Sequence, residues 1–255
     1  MKDLIITPQR VFISEGFEKW YDLGSMECAF GNVVAMLEGE FPSDSYDQPG
    51  YISKIIIDKL SGKGKTKEIW GMYESGSVMH TIYHFLNGED KITLSLKAME
   101  EMRILHGLTI NFLPINRINL DEGIKFKNIK SITDVVYSIL YYYAYNGYKL
   151  VKCEHCGRWF VTNTFKNKYC PRKSTFDGYT HLKCEQAVRN ISQELQREKK
   201  RIYNNMTTYK DSSDQNVYSF LDECAIYHGK IKQRATVENL KAYFDFLKRT
   251  KEGES

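Results

Sequence analysis

No stretch of the 255-residue sequence approaches the roughly 18 apolar residues that a membrane-spanning helix needs. The opening Met1-Lys2-Asp3-Leu4-Ile5-Ile6 turns polar at once and has no apolar stretch of the secretory kind. The expectation is a cytoplasmic chain. There is no internal repeat, no low-complexity tract and no Pro/Ser-rich linker between the two halves. Two catalytic patterns are approached and missed. Gly62-Lys63-Gly64-Lys65-Thr66 has the end of a phosphate-binding loop, but position 59 holds Lys where that loop needs Gly. His80 and His84 are spaced for one helix face, yet position 81 is Thr and not the Glu of a metalloprotease. No other catalytic constellation is visible, so the expectation is a protein that is not an enzyme.

What is present suffices for a core. Apolar residues make up 42% and aromatics 13%, with Tyr the commonest aromatic at 18, which excludes global disorder. Net charge is only +4 and unevenly spread. Residues 1–150 carry 16 Lys/Arg against 19 Asp/Glu, a net −3. Residues 151–210 carry 13 against 5, a net +8. Positive charge so concentrated favours polyanions or acidic partners.

Apolar periodicity predicts helices over 15–38, 51–60, 67–86 and 94–106, an extended start over 4–13, a loop over 41–50 and a strand over 108–120. A helix over 131–145 is the clearest signal, with Ser131 and Asp134 at capping-box positions and Asn146-Gly147 as its stop. Three further helices are predicted: 185–206, basic; 217–233; and 237–249, capped by Thr236. Cys28 and Cys224 fall on apolar helical faces and read as buried thiols.

The chemistry concentrates in the remaining cysteines. Cys153-Glu154-His155-Cys156-Gly157 sets two thiols three residues apart on a tight turn, with Gly157 supplying a positive φ at its exit. Leu150 and Val151 before it, and Trp159, Phe160 and Val161 after it, predict a β-hairpin with this knuckle at the tip. Cys170 follows after 13 residues and Cys184 after 13 more, where the basic helix begins. In a reducing compartment such clusters are more often metal ligands than disulfides. Cys153, Cys156, Cys170 and Cys184 are therefore expected to hold one structural Zn²⁺. An alternative ligand set has His181 in place of a cysteine. His155 is expected to point outward.

Cys153 to Phe160, Lys168-Tyr169-Cys170, and Cys184-Glu185-Gln186-Ala187-Val188-Arg189 together resemble the CGNR-type zinc finger of bacterial proteins. The chain is closer still to an uncharacterised bacterial family in which a helical region precedes the finger. It departs from the CGNR pattern in the long segment Pro171–Lys183 and in lacking Cys-Gly-Asn-Arg itself. The resemblance covers only about residues 152–190 and implies a zinc finger, with transcriptional regulation as the family's assigned role.

The expected architecture is mainly α. A helical N-terminal domain, 1–148, precedes a treble-clef-like zinc-finger module, 149–206, and a helical tail, 207–255. Candidate nucleic-acid contacts are Arg172, Lys173, Arg189, Arg197, Lys200 and Arg201, facing DNA or RNA as partner. The alternative is a zinc-stapled adaptor with a protein partner, a homodimer included.

Overall fold

The computed structural model describes residues 2–14, 19–37, 91–97, 109–112, 123–209 and 214–253. The predicted loop 41–50, the helices 51–60 and 67–86, residues 98–106 of the helix 94–106, the Gly62–Thr66 segment and the His80/His84 pair lie outside the described residues. The chain forms two compact units, one of residues 1–153 with 158–172, the other of 154–157 with 173–255.

The first unit is built on a sheet. Strands β1 (Lys2–Ile6), β2 (Arg10–Ser14), β3 (Trp20–Ser25), β5 (Thr109–Phe112) and β6 (Ile124–Ile129) form an antiparallel sheet of order β3-β2-β1-β6-β5. β1 is central, and Leu4, Ile5 and Ile6 are all buried, as suits a strand inside a sheet. In β6, Ile124 and Phe126 turn into the core while Lys125 and Lys127 do not. The β1–β6 register then slips by one residue between Lys2↔Ile129 and Leu4↔Phe126. This bulge returns Ile129 to the buried face. A second bulge lies where Val11 pairs with Gly24 and Phe12 with Asp22. Gly24 occupies it with φ 108°, a conformation that other residues rarely adopt.

Among the described residues, two helices add to this core. Helix α1 is Ala29–Leu37 and helix α2 is Ile132–Tyr145. α2 has the capping box expected of it: Asp134 N–H donates to Ser131 Oγ at 3.3 Å, and Ser131 N–H donates back to Asp134 Oδ2 at 2.9 Å. Gly147 follows with φ 68° and terminates the helix. Val135, Val136, Ile139 and Leu140 of α2 join Phe30 and Val33 of α1 and Leu4, Ile6, Val11 and Ile13 of the sheet in one buried cluster. Burying each such side chain contributes about 1.5–3 kcal/mol. Tyr143, fully buried, donates to Met26 O at 2.7 Å and accepts from Phe30 N–H at 3.3 Å, which ties α2 to the start of α1. Strands β4 (Lys91–Thr93), β7 (Lys149–Lys152) and β8 (Trp159–Thr162) form a small sheet of order β4-β7-β8 in the same unit.

Among the described residues, the N-terminal region departs from the expected helices in one stretch and holds a five-stranded sheet. The described part of the predicted helix 15–38, residues 19–37, resolves into strand β3, a turn and α1. Its strand half pairs with β2, and backbone pairing there outweighs the weak helical signal interrupted by Gly24 and Gly31.

The second unit is helical. Helix α3 (Cys184–Tyr209), helix α4 (Gln215–Gln233) and helix α5 (Val237–Gly253) pack together. α3 buries Val188, Ile191, Leu195 and Ile202, α4 buries Val217, Phe220 and Cys224, and α5 buries Leu240, Tyr243 and Leu247. Spacings of three, four and seven put each set on one helix face. Stacked rings seal α4 to α5, with Tyr227 4° from parallel to Tyr243 at 5.4 Å. Thr236 caps α5 through Asn239 N–H at 3.1 Å. No helix among the described residues is long and apolar enough to cross a membrane.

Candidate metal centre

β7 and β8 pair from Lys149↔Thr162 to Lys152↔Trp159, so the hairpin ends just before Cys153 and resumes after Arg158. The backbone closes there, with Cys153 N–H donating to Arg158 O at 2.9 Å. Gly157 has φ 71°, the left-handed exit expected of the knuckle.

The spacing of the other two cysteines is resolved by the backbone between them. Lys173 and Lys183 form an isolated antiparallel bridge, and Ser174 N–H donates to Leu182 O at 2.8 Å. The long segment is therefore pinched at its base, with Cys170 three residues before the pinch and Cys184 one residue after it. Cys184 is the first residue of α3, where unpaired N–H groups and the helix dipole favour negative charge.

The four thiol sulfurs of Cys153, Cys156, Cys170 and Cys184 all lie within 4.8 Å of one another. Cys153, Cys170 and Cys184 are buried and Cys156 half-buried, and none forms a disulfide. A tetrahedral thiolate site with metal–sulfur bonds of ~2.3 Å sets its sulfurs ~3.8 Å apart. The donor set and its spread fit a metal ion. Cys170 N–H points at Cys153 Sγ at 3.4 Å, a contact that favours the thiolate a metal requires. Four protein donors fill a tetrahedron and leave no coordination position for a water.

Neither histidine near the cluster belongs to it. His181 is exposed. His155 does not point outward as expected: it is 2% exposed, with Nε2 2.7 Å from Ser174 Oγ and Nδ1 3.4 Å from Ala235 O. Its backbone O also accepts from Val237 N–H at 3.3 Å, at the start of α5. Cys28 and Cys224, the two cysteines outside the cluster, are buried thiols. Burial pushes the Cys224 thiol up from its ordinary value, despite the Tyr243 hydroxyl and the Lys199 charge that oppose the shift.

The six basic candidates separate sharply. Lys173, Arg189, Arg197, Lys200 and Arg201 are exposed. Arg189 faces Glu185 at 3.6 Å and Arg201 faces Glu198 at 2.8 Å. Arg172 is a correction, because it is 2% exposed and not on the surface. Its Nε donates to Asn32 Oδ1 at 3.1 Å, Nη1 and Nη2 both donate to Trp159 O at 3.0 Å, and Nη2 donates to Cys28 O at 2.7 Å. A guanidinium so engaged is a structural tie and not a phosphate contact. Gly31 makes room for it, since a Cβ there would stand 2.7 Å from Arg172 Nη2 and 2.1 Å from Trp159 O. Sequence reasoning missed this role, because the acceptors at 28, 32 and 159 share no local pattern with position 172.

Fold and cluster together define a protein with a closed, four-thiol candidate metal centre at the start of a long helix. Residues 119–223, which include all four cysteines and α3, match the profile of a family of unknown function (DUF6076). No curated protein and no solved structure matches the chain at a significant level.

Proposed function

We propose that the chain is a cytoplasmic nucleic-acid-binding protein, a regulator and not an enzyme, whose basic helix is held in place by one structural zinc ion. A four-thiol donor set is the one that zinc favours at structural sites. The knuckle at a hairpin tip, followed by a ligand at a helix start, is read as a treble-clef-like finger. When bound, zinc supplies cross-linking of the four thiolates. The chain's own residues do the rest: Gly157 turns the knuckle, the Lys173–Lys183 bridge delivers Cys184, and α3 projects from the centre.

The observation that carries the reading is α3 itself. It begins at a metal-centre cysteine and exposes Arg189, Arg197 and Lys200, and neither Arg197 nor Lys200 makes an ion pair among the described residues. Such cations give salt-dependent contacts to phosphate. The test is anisotropy of zinc-loaded protein with random duplex DNA across a salt series. Micromolar binding that weakens steeply with salt and is reduced in Arg197→Ala/Lys200→Ala is the expected result. No binding at low salt refutes it.

A second reading, a zinc-stapled protein-interaction adaptor, is favoured by α4. Tyr218 and Ile226 are 57% and 58% exposed and eight residues apart, on one side of the helix. Failure to bind any nucleic acid would move that reading to first place.

A further inference from the structure

We infer that α3 reads base edges in the major groove of duplex DNA, at a site rich in guanine and adenine, and does not merely rest on phosphates. This rests on the nucleic-acid reading above and adds the groove and the chemistry of recognition.

At 100° per residue, Gln186, Arg189, Gln193, Arg197, Lys200 and Asn204 fall within 40° of the direction set by Gln193. All six are exposed. The buried residues Ile191, Leu195 and Ile202 lie within about 20° of the opposite direction. The stripe therefore stands straight out from the packed side of the helix. It runs from 186 to 204, about 27 Å at 1.5 Å per residue.

The stripe carries three cations and no carboxylate, in a chain with 32 acidic residues against 36 basic ones. The three glutamates of α3 lie off it and are engaged: Glu185 with Arg189, Glu194 with the Tyr179 hydroxyl, and Glu198 with Arg201 and Lys251. The stripe itself presents no negative group to a polyanion.

Along the stripe three cations are interspersed with three amides, Gln186, Gln193 and Asn204, so it offers both charge for phosphates and bidentate groups for base edges. Arginine and lysine pair with guanine O6 and N7, and glutamine and asparagine pair bidentately with adenine N6 and N7. A B-form major groove about 12 Å wide admits a helix about 10–12 Å across, while the major groove of A-form RNA is too narrow to be read by side chains. Duplex DNA is the partner that this stripe fits.

The test is site selection from a random duplex library with full-length, zinc-loaded protein. It is followed by the ratio of affinity for the selected site to affinity for random duplex. The expected result is an enriched motif containing G and A. That ratio should fall about tenfold in Gln193→Ala, and again in Arg197→Lys, which keeps charge but loses the planar fork. Lys241→Ala, exposed on α5, should leave the ratio unaltered and serves as control. Zinc content and helical circular dichroism of each variant establish that it folds. Salt-dependent binding with no enriched motif and no change in the ratio overturns base reading while leaving nucleic-acid binding intact. Preference for an RNA hairpin over every duplex also overturns it. Absence of binding to any nucleic acid overturns the functional reading beneath it.

Discussion

Arg172 donates from Nε to Oδ1 of Asn32 at 3.1 Å, joining residues 140 positions apart inside the first unit. The same guanidinium reaches the carbonyls of Cys28 and Trp159, so one side chain ties the start of α1 to strand β8. Lysine in its place has a single compact donor group and cannot span the three acceptors. Hydrogen bonds to a buried charge contribute about 1.5–3 kcal/mol each, and breaking them leaves acceptors desolvated. Arg172→Lys is expected to lower unfolding free energy by about 2–4 kcal/mol. Asn32→Ala should lower it by about 1–3 kcal/mol. Urea unfolding checks both, with a lower midpoint and an unchanged slope.

Gly31 provides a test in which two principles oppose each other. In an exposed helix, alanine would be favoured over glycine by about 1 kcal/mol. Here its Cβ would sit 2.1 Å from the Trp159 carbonyl, a backbone atom that cannot swing aside. Overpacking of this kind costs about 1–3 kcal/mol or more, so Gly31→Ala is expected to destabilise the protein despite the gain in propensity. A melting temperature equal to or above that of the parent would contradict the close approach of α1 and β8.

The metal centre makes a stoichiometric prediction. Protein purified without added metal should contain about one zinc per chain, and Cys153→Ser should carry almost none. A strong chelator should lower the melting temperature by about 10 °C or more, the shift that about 3 kcal/mol produces in a domain of this size. Metal-free protein with an unchanged melting temperature would refute the assignment.

Tyr179 gives a pH dependence. Burial, then the hydrogen bond to Glu194 and its negative charge, hold the phenol at about 12, above the ordinary value of 10.0. The folded state retains this proton more tightly than the unfolded chain. Its contribution is thus complete below pH 10 and is lost as pH rises from 10 toward 12. The difference in phenolate absorbance between the parent and Tyr179→Phe should titrate near pH 12, and Glu194→Gln should bring it down. A difference titrating at 10 would mean that the Tyr179–Glu194 contact does not persist in solution.

Legibility in the sequence followed the range of the interaction. The Ser131–Asp134 capping box, the Thr236 cap and the Gly157 turn are satisfied within five residues, and each stands where the sequence places it. The cysteine cluster was legible because thiols in a knuckle announce a shared ligand. Strand β6 was not predicted, although Ile124-Lys125-Phe126-Lys127 alternates with period two. Strand β3 carried no such signal: Trp20–Ser25 is made a strand by Arg10–Ser14 beside it, and Gly24 is needed only because the pairing bulges there. Arg172 was read as a surface cation for the same reason. A charged residue in a loop is exposed by default, and only three acceptors contributed from distant segments make burial favourable.

The pinch between Lys173 and Lys183 alters how the metal centre counts its own chain. Along the backbone, closing Cys184 onto Cys170 means immobilising a loop of 13 residues. Across the bridge the connecting path is only about a third as long. Closure entropy grows with the logarithm of loop length, so a threefold shorter path lowers the entropic cost of bringing the two thiols together by about 1 kcal/mol. The metal ion meets a small ring where the sequence shows a large one. Residues 175–181 are outside that ring, so lengthening them should scarcely change metal affinity, whereas breaking the bridge should weaken it.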